Sequence, residues 1–201
     1  MIKRTFDVAV AAVAAAILSP LLFVVAALIK LDSPGGIIFR QRRIGRDFAP
    51  FDIYKFRTMS ENAASMGTAI TCGDDQRITR VGRVLRKMKV DELPQLFNVL
   101  RGDMSLVGPR PELEEFVAQF EADYREILKV RPGITDMASL KYRDEAAILG
   151  RAADPIQEYV GHILPDKIQL AKEYVRRTSF AFDVEIIART LLALTTRQPL
   201  A

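Results

Sequence analysis

The chain holds one cysteine, one histidine and no tryptophan in 201 residues. A single Cys72 excludes an intramolecular disulfide framework and suits a reducing compartment. No motif surrounds it, so it reads as a bystander rather than a nucleophile. The lone His162 follows Glu158 by one helical turn. With no second histidine or cysteine beside it, an ordinary surface pair is preferred over a metal site. Low-complexity tracts and internal repeats are missing, and aromatics make up only 8% of the chain. Charge is nearly balanced: 29 Lys+Arg against 25 Asp+Glu leave +4. That suits an anionic partner such as a phosphate, a nucleotide or a lipid headgroup, and argues for no nucleic acid. The length allows one domain with a real core, or one domain plus an appendage.

What is present begins with an apolar run. From Phe6 to Ile29 the only charge is Asp7. These residues, at ~1.5 Å each as a helix, are enough for a ~30 Å hydrocarbon core. A cleaved signal peptide is disfavoured because the run continues well past Ala16. Lys3 and Arg4 precede it; Lys30, Arg40, Arg42, Arg43 and Arg46 follow, so both flanks prefer the cytoplasmic side. Ser19 and Pro20 lie mid-run. Pro20 removes a donor and frees the carbonyl of Ala16, and the Ser19 hydroxyl can help satisfy the backbone there. The expectation is a re-entrant, broken helix over residues 1–33 that enters and leaves by one face, with a proline-kinked single span as the alternative. The remainder, 34–201, is expected to form the cytosolic-face domain with membrane-surface helices.

Ser33-Pro34-Gly35-Gly36 reads as a turn. Ile37 to Phe39 and Phe51 to Phe56 read as short strands around a basic connection, Arg40 to Pro50. Gly67 to Asp75 is polar and loop-like. Arg77, Arg80, Arg83 and Arg86 recur every third residue beside an apolar stripe of Ile78, Val81, Leu85 and Met88. This predicts one helix with a cationic row, which is either a solvated face or a row beside an anion. Glu112 to Val130 reads as one amphipathic helix, Ile134 to Tyr142 as irregular, and Arg143 to Gly150, Pro165 to Arg177 and Phe180 to Leu194 as further helices, with Asp154-Pro155 opening another.

The densest stretch is Arg86 to Pro111. Leu93, Leu96, Phe97 and Leu100 form a helical apolar stripe, and Pro94 requires that helix to start near it. Asp91 then fits an N-cap and Glu92 a first-turn acid. The same place keeps a carboxylate ionised where anions also bind, which suits a nucleophile facing a phosphate. Capping explains one acid well and the second poorly.

Taken in order, these segments resemble the bacterial sugar transferases, specifically the small monotopic phosphoglycosyl transferases. The likeness is carried by the basic N-terminus, the apolar run with Ser19-Pro20, and Lys55-Phe56-Arg57-Thr58-Met59. It continues through Asp91-Glu92-Leu93-Pro94-Gln95, the run from Gly102 to Pro111, Arg131-Pro132-Gly133-Ile134-Thr135, and Ser179-Phe180 with Asp183. The resemblance implies that a UDP-sugar binds with Mg²⁺ at the membrane face. Asp91 would attack the β-phosphate, contact the metal and release UMP, with Glu92 assisting. A polyprenol (undecaprenyl) phosphate would then take the phosphosugar from the aspartyl intermediate. Arg86, Arg143 and Arg110 match the family's phosphate- or nucleotide-binding positions, and Lys55, Arg57 and Pro111 complete the substrate-binding candidates. Arginines and a divalent cation are what phosphoryl transfer demands by way of charge neutralisation. The chain departs from many relatives after Thr135, where Asp136-Met137-Ala138-Ser139-Leu140-Lys141-Tyr142 replaces a glycine and a Gln-Val-x-Gly-Arg stretch, so sugar choice does not carry over.

The expected fold is therefore α/β and α-rich, a compact unit with a small sheet on the cytoplasmic leaflet of the bacterial inner membrane. Only the catalytic unit is expected, without the N-terminal spans of larger relatives, and homo-oligomer formation stays open. Two other readings remain: a non-enzymatic scaffold whose basic rim binds anionic lipid, and a nucleotidyl or phosphatase-type enzyme that needs no lipid carrier.

Overall fold

The computed structural model describes residues 2–63, 70–73 and 75–195. Part of the loop read at Gly67–Asp75, namely 67–69 and 74, lies outside the described residues. The molecule is helix-rich and opens with α1, Ile2–Asp32. Among the described residues it is the one helix long and apolar enough to cross a membrane. The helix continues through Pro20 without interruption, so the break expected at Ser19-Pro20 is not made. The reason is local: Ser19 Oγ donates to the carbonyl of Ala16 at 2.8 Å, the acceptor that Pro20 leaves without its amide.

A hairpin follows, β1 (Ile38–Ile44) and β2 (Pro50–Phe56), antiparallel with Ile38 opposite Phe56 and Ile44 opposite Pro50. Most of the basic segment read as a connection is therefore strand. Ile44 at its end enters the core, while Arg40 and Arg43 lie beside ring and carboxylate partners. A short turn, Arg46–Phe48, closes the hairpin with Asp47 and Phe48 at positive φ. Next come α2 (Arg80–Lys87) and α3 (Gln95–Arg101). β3 (Ser105–Val107) pairs in parallel with β4 (Gly133–Thr135), a second small sheet.

Between those strands lie α4 (Glu114–Gln119) and α5 (Glu121–Ile127). The single helix expected from Glu112 to Val130 is split, because Phe120 leaves the helical region at φ −122°, ψ 35°. The segment after Pro132, read as irregular, contains β4 and then α6 (Met137–Lys141), whose N-cap Asp136 accepts from Ser139 N at 2.7 Å. α7 (Glu145–Leu149), α8 (Pro155–Glu158, capped by Asp154), a π-turn over Tyr159–Ile163, α9 (Leu164–Arg177) and α10 (Phe180–Thr195) complete the chain.

Three apolar clusters hold these parts together. The first joins Ile44, Phe116, Tyr124, Ile127, Tyr159 and Ile168. The second packs Ala11 of α1 against Ile53, Leu96, Val99, Met104, Tyr174 and Ile186. The third packs Val25 and Ile29 of α1 against Phe56 and Leu85. Both halves of α1 thus lie on the same body, while Val13, Ile17, Leu21, Phe23 and Leu31 stay exposed on its other side.

Polar contacts pin both ends of α1. Asp7, buried, accepts from Ser105 Oγ at 2.8 Å and from Leu106 N at 3.3 Å. Lys3 bridges Asp183 at 2.6 Å and the carbonyl of Val107 at 3.1 Å, and Tyr174 also donates to Asp183. At the far end Asp32 accepts from Val81 N at the start of α2, 3.1 Å away. The Ser179-Phe180…Asp183 motif therefore builds the anchor of α1.

Candidate active site

α2 ends at Lys87 with Met88 as its C-cap, and Lys89 enters the left-handed region at φ 57°, a conformation that favours glycine. This bend turns the chain into a tight 3₁₀ turn, Val90–Glu92, laid against the end of β2. α3 begins only at Gln95, with Pro94 as an N-cap that offers no side chain. Asp91 is therefore not a helix cap, contrary to the capping expectation. It sits in the preceding turn, 8% exposed, and its Oδ1 has no hydrogen-bond partner among the described residues.

Glu92 is the opposite case. Lys55 Nζ reaches its Oε1 at 2.7 Å, Arg110 Nη2 binds the same oxygen, and Arg110 Nη1 lies 3.3 Å from Oε2. Burial alone would raise this carboxyl, but Arg110 and Lys55 together hold it well below the usual carboxylate range. Asp91 moves the other way: burial, reinforced by the Glu92 charge, pushes it above its ordinary value against the pull of Lys55, Arg86 and Lys89. Adjacent acids thus become two different groups, one locked in a salt bridge and one free to act.

The cations come from three segments. Lys55 closes β2, and its burial lowers its pKa despite Glu92. Arg86, on the last turn of α2, is half-buried; Thr58 Oγ1 accepts from its Nε at 2.8 Å. Thr58 also fixes α2 itself. Its carbonyl accepts from Thr79 N at 3.0 Å, and a Cβ on Gly82 would collide with that same carbonyl. Arg110 follows β3, its backbone N donating to Asp136 at 3.2 Å. Around it Gly108 and Gly133 cross so closely that neither has room for a Cβ. That crossing accounts for the glycines of the two proline-flanked motifs. Pro111 gives its carbonyl to Arg43 at 3.3 Å, so its place is beside the hairpin.

Two candidates are held elsewhere. Arg57 turns its guanidinium to the carbonyls of Ser33 (2.8 Å) and Pro34, clamping the turn after α1. Arg143 donates to the carbonyl of Ala193 on α10, although its own carbonyl accepts from Lys89 Nζ at 3.4 Å, two residues from Asp91. The arginine row divides as well: Arg77 pairs with Asp75 at 2.6 Å, Arg80 and Arg83 are exposed, and only Arg86 turns toward the acids. Sequence reasoning passed over Thr58 and Asp136 as positioning groups. The cap signature of Asp136 before a short helical run was the available signal.

One uncommitted buried carboxylate oxygen, with Lys55, Arg86 and Lys89 acting on it and Arg110 on its neighbour Glu92, suits phosphate chemistry more than hydrolysis of an uncharged bond. Comparison with known proteins now adds to this geometry. The pattern of bacterial sugar transferases matches residues 1–197. The chain belongs to the bacterial sugar transferase family. Over 200 residues it is 42% identical to the UDP-N-acetylgalactosamine-undecaprenyl-phosphate N-acetylgalactosaminephosphotransferase of Aeromonas hydrophila, covering 97% of this chain and 44% of that protein. A UDP-glucose:undecaprenyl-phosphate glucose-1-phosphate transferase of Caulobacter vibrioides is 39% identical, covering 96% of this chain and 70% of that protein. The Escherichia coli protein of the same name is 36% identical over 95% of this chain and 39% of its own length. The family unit thus forms less than half of two of these relatives.

Proposed function

We propose that this bacterial sugar transferase moves a sugar 1-phosphate from a UDP-sugar to undecaprenyl phosphate at a membrane surface, through a covalent intermediate on Asp91. The observation that carries this reading is the buried, unpartnered Oδ1 of Asp91 beside a Glu92 fully engaged by Lys55 and Arg110. An Asp91 oxygen attacks the β-phosphorus of the UDP-sugar. The bond from that phosphorus to the oxygen bridging the two phosphates breaks, and UMP leaves with the electron pair. In the second step a phosphate oxygen of the carrier lipid attacks the same phosphorus and Asp91 departs as a carboxylate.

Lys55, Arg86 and Arg110 neutralise the phosphate oxygens during both steps, and Glu92 fixes two of those cations in place. The residues fit a hard divalent cation. The donor available is one carboxylate oxygen, and among the described residues no cluster of three His, Cys, Asp or Glu forms a complete protein cage. Mg²⁺ characteristically takes one or two carboxylates together with substrate phosphates and waters. When bound by Asp91 it would supply Lewis-acid stabilisation of the diphosphate. α1 embeds in the cytoplasmic leaflet of the inner membrane without spanning it. This is supported by the attachment of both its halves to one body and by its exposed apolar side.

Intact-protein mass spectrometry after mixing the protein with Mg²⁺ and a panel of UDP-sugars, without lipid, tests the proposal. The expected result is a mass gain of one phosphosugar with release of UMP, absent in Asp91→Asn. UMP appearing only when undecaprenyl phosphate is added, with no modified protein, would replace the covalent route by direct displacement. The scaffold reading predicts no turnover at all and leaves the unpartnered Asp91 oxygen unexplained.

A further inference from the structure

α2 and its C-cap Met88 present two faces. Gly82 and Leu85 are buried and Val81 and Arg86 half-buried, while Arg80, Arg83, Val84, Lys87 and Met88 are exposed. The exposed set falls at i, i+3, i+4, i+7 and i+8, one continuous stripe of a helix. Its cations are interleaved with two large apolar side chains, Val84 at 56% and Met88 at 60% exposure. Arg86 serves the acid pair from the other face, so the site already described uses none of this stripe.

A solvated basic helix ordinarily carries acids that relieve its cations. Three other helices of this chain do so: Glu121 pairs with Arg125 at 2.7 Å, Glu173 with Arg177 at 2.7 Å and Glu185 with Arg189 at 2.6 Å, each pair four residues apart. α2 holds no acid, and among the described residues the side chains of Arg80, Arg83 and Lys87 form no ion pair. Like charges at that spacing repel, and apolar side chains set among them gain nothing from water. The placement of the helix supplies the missing partner. Asp32, at the end of α1, accepts from Val81 N, and Leu85 packs with Val25 and Ile29 of α1. α2 therefore borders the half of α1 that exposes Val24, Leu28 and Leu31.

We infer that the exposed stripe of α2 docks on the anionic phospholipid headgroups of the leaflet that receives α1. Arg80, Arg83 and Lys87 meet the headgroup phosphates, and Val84 and Met88 reach the acyl boundary. This rests on the reading of α1 as a membrane anchor. The row of cations spans two helical turns, about 10 Å at 1.5 Å per residue, so it meets several headgroups at once. The single phosphate of a carrier lipid would engage only one end of it. Each cation beside an anionic leaflet is worth about fivefold in the ratio of docked to undocked, and apolar side chains between the cations add shallow insertion. α2 leads through Lys89 directly into the turn that holds Asp91. Docking of the stripe thus holds that turn near the level of the lipid phosphates, where the phosphate of the carrier also lies.

The test uses the full chain in lipid nanodiscs, in a Cys72→Ser background, with a fluorophore on Val84→Cys and a nitroxide-bearing lipid as quencher. Phe23→Cys on α1 and Glu121→Cys on α5 are labelled for comparison, α5 belonging to the apolar cluster that α1 does not join. Discs of phosphatidylcholine alone are set against an equal mixture with phosphatidylglycerol. Quenching at residue 84 should rise about twofold or more in the anionic discs. Molar salt, with a screening length of about 3 Å, should reverse the rise. The combined Arg80→Gln, Arg83→Gln and Lys87→Gln variant should lose it with an unchanged thermal midpoint. If that variant fails to fold, the salt dependence of the parent decides. Residue 23 should be quenched in both discs and residue 121 in neither, and millimolar inorganic phosphate should change nothing. Equal quenching at residue 84 in both discs, or a rise that survives molar salt, overturns the inference. Reversal by inorganic phosphate would make the stripe a free-phosphate site and overturns it too. So does quenching in phosphatidylcholine discs that appears only on adding undecaprenyl phosphate, which would give the stripe to the carrier. An unquenched residue 23 sinks the membrane reading of α1 and this inference with it. A quenched residue 23 with residue 84 unresponsive to anionic lipid sinks the inference alone.

Discussion

At the level of single residues, the two acids predict opposite responses to pH. Asp91 has a raised folded-state pKa, so its contribution to stability is present below the unfolded value, ~3.9, and is lost as pH rises through the folded value. At neutral pH its charge therefore destabilises the fold. Asp91→Asn should raise the thermal midpoint at pH 7.5 by about 2–4 °C, roughly what 1 kcal/mol is worth in a chain of this size. The gain should shrink toward zero in acid, and differential scanning fluorimetry across pH reads both effects. Glu92 has the reverse sign: its stabilisation is present above the unfolded value, ~4.3, and is lost as pH falls through its depressed folded value. Glu92→Gln leaves Lys55 and Arg110 without their buried counter-charge and should cost about 3–5 kcal/mol, seen as a lowered urea midpoint. Removing one acid should thus stabilise the protein and removing its neighbour should weaken it. Read alone, the Asp91-Glu92 pair favoured a cap for Asp91, and the resemblance implied a nucleophile. The structure removes the cap, because α3 starts only at Gln95, decided by Pro94 and by the bend at Lys89, and a left-handed lysine leaves no mark in a sequence.

At the level of elements, periodicity was informative where one face is buried and silent where geometry is set by backbone contact. The strands around the basic segment were legible, because Ile53 and Phe56 face the core from β2. The extension of β1 through Arg40 to Arg43 was hidden, since strand charges satisfied by Tyr54 and Glu112 look like a loop when read alone. The β3–β4 pair was invisible: three-residue strands carry too little pattern, and their register depends on Gly108 passing against Gly133. That crossing yields a sharp prediction. In Gly133→Ala the new Cβ meets backbone atoms of Gly108, which cannot rotate away as a side chain would. The substitution should destabilise the fold by at least about 3 kcal/mol and, by displacing the Arg110 loop from Glu92, abolish UMP release. Gly36→Ala, where the nearest contact is an ordinary 3.8 Å from the carbonyl of Ile38, should be tolerated in both assays.

For the whole molecule the question is how a helix of membrane length relates to the body it carries. Thirty-one residues extend about 46 Å, more than the ~30 Å of a hydrocarbon core. Were α1 a simple span, its two ends would face opposite compartments. Yet Lys3 and Asp7 are held by Asp183 and Ser105, while Asp32 is held by Val81. Ile53 and Phe56, three residues apart on β2, pack against the first and second halves of the helix respectively. One strand cannot reach both leaflets, about 10 Å being the span of three residues. Both ends of α1 are therefore expected on one face of the membrane, with Val13, Ile17, Leu21 and Phe23 turned to lipid. Single cysteines at Ile2 and Leu31, in a Cys72→Ser background, should both react with an impermeant maleimide in inverted vesicles. Both should be protected in right-side-out ones. Opposite labelling of the two positions would require the body to detach from one half of α1 and would make the helix a span. Lys3→Ala combined with Asp7→Leu removes the N-terminal attachment while keeping the apolar run. If those contacts hold the first half down, this variant alone should acquire mixed labelling at residue 2 while residue 31 keeps its side.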